Sequence, residues 1–396
     1  MSYEIDRDPW YFQPRAEAEI QRHWDKGARA VALVAPPGSG KTVMAAKKAA
    51  KFKRPVCVSH TRALKRNAVT RLCESFTIQE VLAAGRIPGN VPVDLVIWDE
   101  CHHSGAAVWG SVLDLFPRKA KVLGLTATPQ RADGKPLDRF DELVVAATYT
   151  ELLMAGTIVP FRVLYPDEFK AGAAPDMAVM YKQYGEGRKA IFYCRDTEHA
   201  DEVARDLKRM RVSCEPWHSK VGTWKKREEF LKAFEQNELR ALVTVDALVE
   251  GADIPDSDCI VLGAKCMHTG TYLQRTGRGG RAAPGKTDCL LLDLVGAHLR
   301  HGPPIEDRSY TLDGTGIQRR SNPRNWYYER GEREEKPVDA YEPRLIVGYD
   351  WRAPSEQQKR QNLGYLVEYA GRHGWPEETA IEMFRTVFGQ DPPAAA

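Results

Sequence analysis

Short apolar runs recur along the chain, with segments of helical spacing between them. Val31–Ala35, Pro55–Ser59, Val93–Trp98 and Lys121–Leu125 fall in the first half; Lys189–Cys194, Arg240–Val245, Asp258–Gly263 and Asp288–Asp293 fall in the second. A strand with one wet face alternates polar and apolar residues, so runs this continuous belong to parallel strands covered by helices on both faces. The pattern occurs twice, on either side of a break at Gly156–Pro160. It predicts an α/β protein with two parallel-sheet domains at 1–157 and 158–302, followed by an extension at 303–396.

The extension has a different character. Residues 302–345 are rich in Pro, Gly and mixed charge without a period, which predicts a linker or an extended strap over the other domains. Ser355–Tyr369 and Glu377–Phe388 regain helical spacing, with Ser355 and Gln358 placed as a capping box. Arg324-Asn-Trp-Tyr-Tyr-Glu-Arg330 interleaves aromatic and basic groups. Such a run either stacks bases on Trp326 or Tyr327 or anchors a strap to a core.

Composition narrows the class. Of 396 residues, 43% are hydrophobic and 28% charged, enough for two real cores. Apolar runs stay far short of the ~18 residues of a membrane span, and MSYEIDRDPW lacks the apolar segment of a secretory signal. No two of the eight cysteines are spaced C-x-x-C, which argues against a zinc ribbon or disulfide framework and places the expected location in a reducing cytoplasm. The net charge of +3 is mild but uneven: twelve Lys or Arg and no Asp or Glu lie between Lys26 and Cys73. A stretch of one sign either attracts phosphates or is a solvated helix face.

Specific chemistry begins at Ala35-Pro-Pro-Gly-Ser-Gly-Lys-Thr42, between an apolar strand and a helix. It matches the P-loop pattern G-x-x-x-x-G-K-[ST] with Ala35 in the first glycine's place. Gly38 and Gly40 allow backbone N–H groups, including that of Ser39, to turn toward a phosphate, and the helix adds its positive end. Lys41 can reach the β- and γ-phosphates, and the Thr42 hydroxyl can ligate Mg²⁺. Further on, Asp99 and Glu100 sit at the C-terminal end of the third apolar run, the edge where open α/β sheets bind ligands. There Asp99 can hold Mg²⁺ and Glu100 can activate water. Cys101, His102 and His103 follow, but zinc would need a second ligand group that the cluster does not offer.

Over residues 10–300 the chain resembles superfamily 2 helicases of the DEAD/DEAH type, in their compact phage and bacterial variety. Asp99-Glu-Cys-His102 looks like motif II and Thr126-Ala-Thr128 like motif III. Leu248-Val-Glu-Gly-Ala-Asp-Ile-Pro255 resembles motif V, and Gln274-Arg-Thr-Gly-Arg-Gly-Gly-Arg281 is similar to motif VI. The resemblance implies two tandem RecA-like domains that bind ATP and Mg²⁺ between them. It assigns catalysis to Lys41, Asp99, Glu100, Gln274, Arg278 and Arg281, and cofactor contacts also to Gly251 and Asp253. Gln13 is the loose candidate for the family's adenine-reading glutamine. Nucleic-acid contacts are implied for His60, Thr61 and Arg62 (motif Ia), Thr77 and Gln79 (motif Ib), Arg195 (motif IV) and Val245 (motif V). Val245 stands where many DEAD-box relatives carry threonine, which inclines the partner towards DNA rather than RNA.

Arg278 and Arg281 would act as arginine fingers, reaching ATP only when the second domain closes on the first. The expected activity is an ATP-dependent helicase or remodelling translocase acting on DNA. Two alternatives stay open: a translocase that separates no strands and serves a restriction or defence complex, and a non-catalytic nucleic-acid-binding scaffold. The intact Lys41, Asp99, Glu100, Arg278 and Arg281 argue against the scaffold.

Overall fold

The computed structural model describes residues 10–59, 73–85, 92–102, 111–131, 134–166, 177–245, 257–315, 317–319, 343–346 and 381. Two parallel sheets dominate them. The first contains β1 (Ala30–Val34), β2 (Pro55–Ser59), β3 (Glu74–Thr77), β4 (Leu95–Trp98), β5 (Lys121–Thr126) and β6 (Glu142–Val145), in the order β3-β2-β4-β5-β1-β6. The second contains β7 (Phe161–Pro166), β8 (Ala190–Tyr193), β9 (Cys214–Trp217), β10 (Ala241–Thr244), β11 (Cys259–Leu262) and β12 (Cys289–Asp293). Its order is β15-β7-β12-β11-β8-β10-β9, where β15 (Pro343–Ile346) is added antiparallel to β7.

All eight apolar runs of the sequence contain strands, and the burial pattern shows why they were continuous. In β1, Ala30 and Ala32 enter one core while Val31 and Leu33 enter another on the opposite face. In β11, Cys259 and Val261 oppose Ile260 and Leu262 in the same way. Period-two alternation therefore separates two apolar environments rather than core from water.

The strands absent from the sequence reading include β3, β6 and β9 at sheet edges and β7 inside the second sheet, whose run Arg162 interrupts. An edge strand is paired on one side only, so it carries Glu74 in β3, Glu142 in β6 and Pro216 in β9.

Helix α1 (Phe12–Asp25) joins both bodies. Its Ala16, Ile20 and Trp24 pack beneath β1, whereas Phe12 belongs to the core cluster of the second sheet. Of the 302–345 segment, residues 302–315, 317–319 and 343–345 are described, and 302–315 lie as a strap against earlier elements. Asp307 accepts hydrogen bonds from the backbone and hydroxyl of Thr150 at 3.0 and 2.7 Å. The Leu312 carbonyl accepts from Leu137 N, and its side chain packs on the first sheet's core. A hairpin of β13 (Arg308–Tyr310) and β14 (Ile317–Arg319) forms the turn-back. The run 324–330 and the helical segments expected at 355–369 and 377–388 lie outside the described residues, Ile381 excepted. Among the described residues, no helix is long and apolar enough to cross a membrane.

Candidate nucleotide site between the two sheets

β1 delivers the chain to the P-loop, and Ala35 N bonds Thr126 O at 2.9 Å to fix where the loop departs. Gly38 (φ 90°) and Gly40 (φ 73°) occupy the left-handed region, which only glycine enters without strain. Close approach requires glycine as well: a Cβ at Gly40 would lie 2.7 Å from Gln13 Nε2, and one at Gly38 2.6 Å from Ile158 Cγ2. The loop then opens α2 (Lys41–Ala49), with Gly40 as its N-cap and Lys41 and Thr42 in its first turn. No side chain caps this end, which leaves the helix's positive end open to an anion. Ser39 N, expected to face a phosphate, instead donates to Pro36 O at 3.2 Å, and Val43 N and Met44 N donate to Gly40 O at 2.9 and 3.1 Å.

Gln13 lies beneath this loop and is buried. Its amide donates to the Ser39 carbonyl at 3.3 Å and accepts from Lys47 Nζ at 3.0 Å. Both ends of the amide are thus committed to the phosphate loop and its helix.

At the end of β4, the Asp99 carboxylate accepts from the Glu100 N–H at 3.1 Å. Glu100 has φ 49°, a conformation that costs a non-glycine residue about 1–2 kcal/mol and aims its side chain off the strand axis. Cys101 faces inward, its thiol 3.1 Å from where a Cβ on Gly124 would stand, and burial pushes its pKa up. His102 faces the other way. Its Nδ1 is 2.8 Å from Thr126 Oγ1 and 3.5 Å from Glu100 Oε2.

The protonation of His102 follows from its neighbours. Thr126 Oγ1 donates to Thr128 O at 2.7 Å and accepts from Thr128 N at 2.9 Å. Its single proton is therefore spent, so His102 Nδ1 must be the donor. In the neutral ring Nε2 is then an acceptor, and the Gln274 amide nitrogen lies 3.1 Å from it. Gln274 comes from the Thr269–Gly277 helix of the second sheet. Gln274 thus touches His102, one contact away from the turn that carries the carboxylates.

Arg278 ends that helix, and Arg281 follows on a loop held by the segment between the sheets. Val159 N donates to Gly280 O at 2.8 Å, Ala282 N donates to Thr157 O at 3.2 Å, and Ile158 and Arg281 form a bridge. The charges of the two bodies meet at Lys41. Burial lowers the pKa of its ammonium; Glu100 and then Asp99 oppose that shift, while Arg281 and Arg278 reinforce it. Burial likewise lowers the pKa of Arg281. Three cations and two carboxylates thus share one cleft.

This donor set suits magnesium nucleotide. Thr42 and Asp99 offer hard oxygen atoms, and among the described residues no group of three His, Cys, Asp or Glu could hold a metal ion alone. Magnesium commonly takes one or two protein oxygens and completes its shell with phosphate and water. The two residues fit that mode, and three nearby cations fit a polyphosphate.

The remaining expected contacts are scattered along the C-terminal strand edges. Thr77 is buried and caps the Ile78–Ala84 helix, accepting from Glu80 N, while Gln79 is exposed on that helix. Arg195 is exposed just beyond β8, and Val245 is half-buried just beyond β10. His60, Thr61, Arg62, Gly251 and Asp253 lie outside the described residues. The sequence reading did not anticipate the 157–159 bridge, because no side-chain pattern encodes a backbone pairing. It did not anticipate Trp10 either, whose ring a Cβ on Gly40 would meet at 3.3 Å.

Comparison with known proteins agrees with this geometry. The family "Helicase conserved C-terminal domain" matches residues 175–283, and "Type III restriction enzyme, res subunit" matches residues 76–131. The domain architecture is that of a superfamily 2 helicase. A putative mitochondrial ATP-dependent helicase, irc3 of Schizosaccharomyces pombe, is 26% identical over 229 residues, covering 50% of this chain but only 38% of that protein. A 51.5 kDa protein of Lactococcus phage (isolate 7-9) is 24% identical over 309 residues, covering 69% of this chain and 67% of its own length. Among solved structures, a fragment of a putative HsdR subunit of a type I restriction enzyme from Vibrio vulnificus superposes with a TM-score of 0.60 at 22% identity, covering 78% of this chain and 69% of that one. The superfamily 2 architecture accounts for both the paired sheets and the cleft between them.

Proposed function

We propose that this chain is a nucleic-acid-dependent ATPase that moves along or remodels DNA. The observation that carries the reading is geometric: the helix that ends in Arg278 abuts the P-loop, with Gly277 against Pro37, and the Arg281 loop pairs with the 157–159 segment that also packs on Gly38. Lys41, Arg278 and Arg281 outnumber the two carboxylates, Asp99 and Glu100, and a magnesium-bound polyphosphate would compensate the excess.

In this reading Lys41 and the P-loop N–H groups hold the β- and γ-phosphates. Magnesium, held by Thr42 and Asp99, would neutralise phosphate charge and polarise the γ-phosphoryl group. Glu100 accepts the proton of the attacking water as the new oxygen–phosphorus bond forms and the bond to the β-phosphate oxygen breaks. Arg278 and Arg281 stabilise the charge on the γ-phosphoryl oxygens in the transition state. Because they belong to the second body, hydrolysis requires the closed arrangement, and a nucleic acid bridging both bodies would favour it.

The preference for DNA rests on the restriction-enzyme family match at 76–131 and on Val245, which offers no hydroxyl to a phosphate. A second reading, translocation without strand separation in a restriction complex, draws on the same match. We place the nucleotide-binding domain at 1–157, the second at 158–302 and an extension at 303–396, working as a monomer in the cytoplasm.

The test is steady-state ATPase activity with single-stranded, duplex and branched DNA and with RNA. Stimulation by DNA is expected. Absent turnover with every nucleic acid would overturn the reading, and stimulation by RNA alone would reassign the substrate. A strand-displacement assay separates the two motors.

A further inference from the structure

The loop that carries both arginines is held by its surroundings rather than by side chains of its own. Positions 277, 279 and 280 are all glycine, so the backbone around Arg278 has no side-chain packing of its own. Glycine also has the largest conformational freedom to lose on ordering. Something outside the loop must hold it, and Lys286 is in place to do so. Its ammonium donates to the carbonyls of Gly279 at 2.6 Å, Arg281 at 2.7 Å and Ser257 at 2.7 Å. An ammonium has three protons, and each has an acceptor here. Two of these carbonyls follow the Thr269–Gly277 helix, where its negative end favours a cation. The third belongs to buried Ser257, on the chain entering β11.

We propose that Lys286 is the positioning residue of the arginine loop. It gathers the Ser257, Gly279 and Arg281 carbonyls around one charge and so holds Arg278 and Arg281 toward Lys41 and the P-loop. The loop is then fixed on two sides: residues 157–159 pair with its backbone, and Lys286 clamps its carbonyls. Tight glycine contacts make the placement exacting. A Cβ on Gly277 would stand 2.4 Å from Pro37 of the P-loop, and one on Gly279 2.4 Å from Cys289 Sγ. The proposal rests on the ATPase reading above and extends it to a residue that touches no nucleotide.

The test compares Lys286→Met, which keeps the stem and removes the charge, with Lys286→Arg, whose guanidinium can still donate to several carbonyls. A misplacement of about 1 Å at a catalytic group can cost about 10²-fold in rate, so Lys286→Met is expected to lower kcat by about that factor. KM for ATP and affinity for ADP should stay within about twofold, because the P-loop is untouched. Affinity for ADP with aluminium fluoride, a mimic of the transferring phosphoryl group, should fall with kcat. Lys286→Arg should recover most of both. Three results would overturn the proposal. Wild-type kcat in Lys286→Met would do so while leaving the ATPase reading intact. Joint loss of kcat, ADP affinity and thermal midpoint without recovery in Lys286→Arg would make the residue merely structural. A wild type with no turnover and no preference for ADP with aluminium fluoride over ADP would defeat the ATPase reading, and the arginine loop with it.

Discussion

His102 and Gln274 stand 172 residues apart in sequence, and their side-chain nitrogens are 3.1 Å apart. Both are buried. Since Thr126 holds a His102 proton on Nδ1, the neutral ring offers an acceptor at Nε2 to the Gln274 amide donor. Gln274→Ala removes the donor and leaves a buried acceptor exposed to no partner from that helix. The expected result is a loss of about 1–3 kcal/mol in urea unfolding, with nucleic-acid stimulation of turnover falling more than ATP binding. Unchanged stimulation would show that this contact carries no signal between the bodies.

Lys41→Ala and Glu100→Gln should fail differently. Without the ammonium the loop loses its phosphate cation, so nucleotide binding by calorimetry should disappear. Without the carboxylate only proton acceptance is lost; binding should persist while turnover drops by about 10²–10⁴. Full turnover in Glu100→Gln would move the base elsewhere.

Arg281→Ala tests the reach of the second body. Its guanidinium acts on the transition state, so ATP affinity should be nearly retained while DNA-stimulated kcat falls by about 10³ or more. The Ile158–Arg281 bridge is a backbone feature and survives truncation, so the thermal midpoint should hardly change. A stable variant with normal kcat would rule out the finger.

Asp307 holds the strap to the Tyr149–Met154 helix through two hydrogen bonds. Replacing it with alanine should cost about 1–3 kcal/mol of unfolding free energy and increase proteolysis within 302–315. If the variant unfolds at the wild-type urea midpoint, the strap is only laid over the surface.

The thiols should be slow. All eight cysteines are buried or half-buried. Burial pushes the thiol pKa to about 11 for Cys73 and Cys214 and to about 12 for Cys194 and Cys289. A rise of two units lowers the thiolate fraction about 100-fold at neutral pH. A disulfide exchange reagent at pH 7.5 should therefore label native protein slowly and all eight sites once it is denatured. Raising the pH toward 11 should speed Cys73 first, since it is only half-buried. Rapid labelling at pH 7 would contradict the packing around them.

Most strands covered on both faces were legible because coverage leaves a continuous apolar run, as in β1 and β11; β7 was not, because Arg162 breaks its run between Phe161 and Val163. Those at the edges were not, since β9 needs to satisfy only one neighbour and can include Pro216. The P-loop and the Asp99-Glu100 pair were legible because their chemistry dictates residue type and spacing. Lys286 was not: a lysine that binds backbone carbonyls has no partner identity to read, and its acceptors span residues 257–281. Gln13 was found for one reason and placed for another, because a lone glutamine upstream of a P-loop does not disclose which atoms its amide will meet.

Helix α1 leaves a trace in the order of synthesis. Every strand of the first sheet has been made once residue 145 leaves the ribosome, and Ala16, Ile20 and Trp24 then have a core to enter. Phe12 does not, since the cluster that buries it includes Ile260, Cys289 and Leu291. For the time taken to translate more than a hundred further residues, roughly ten seconds at ordinary rates of synthesis, the nascent first sheet carries an aromatic edge awaiting its counterpart. A fragment ending near residue 157 would keep that edge permanently and should be sticky in isolation, while the same residues in the full chain are not.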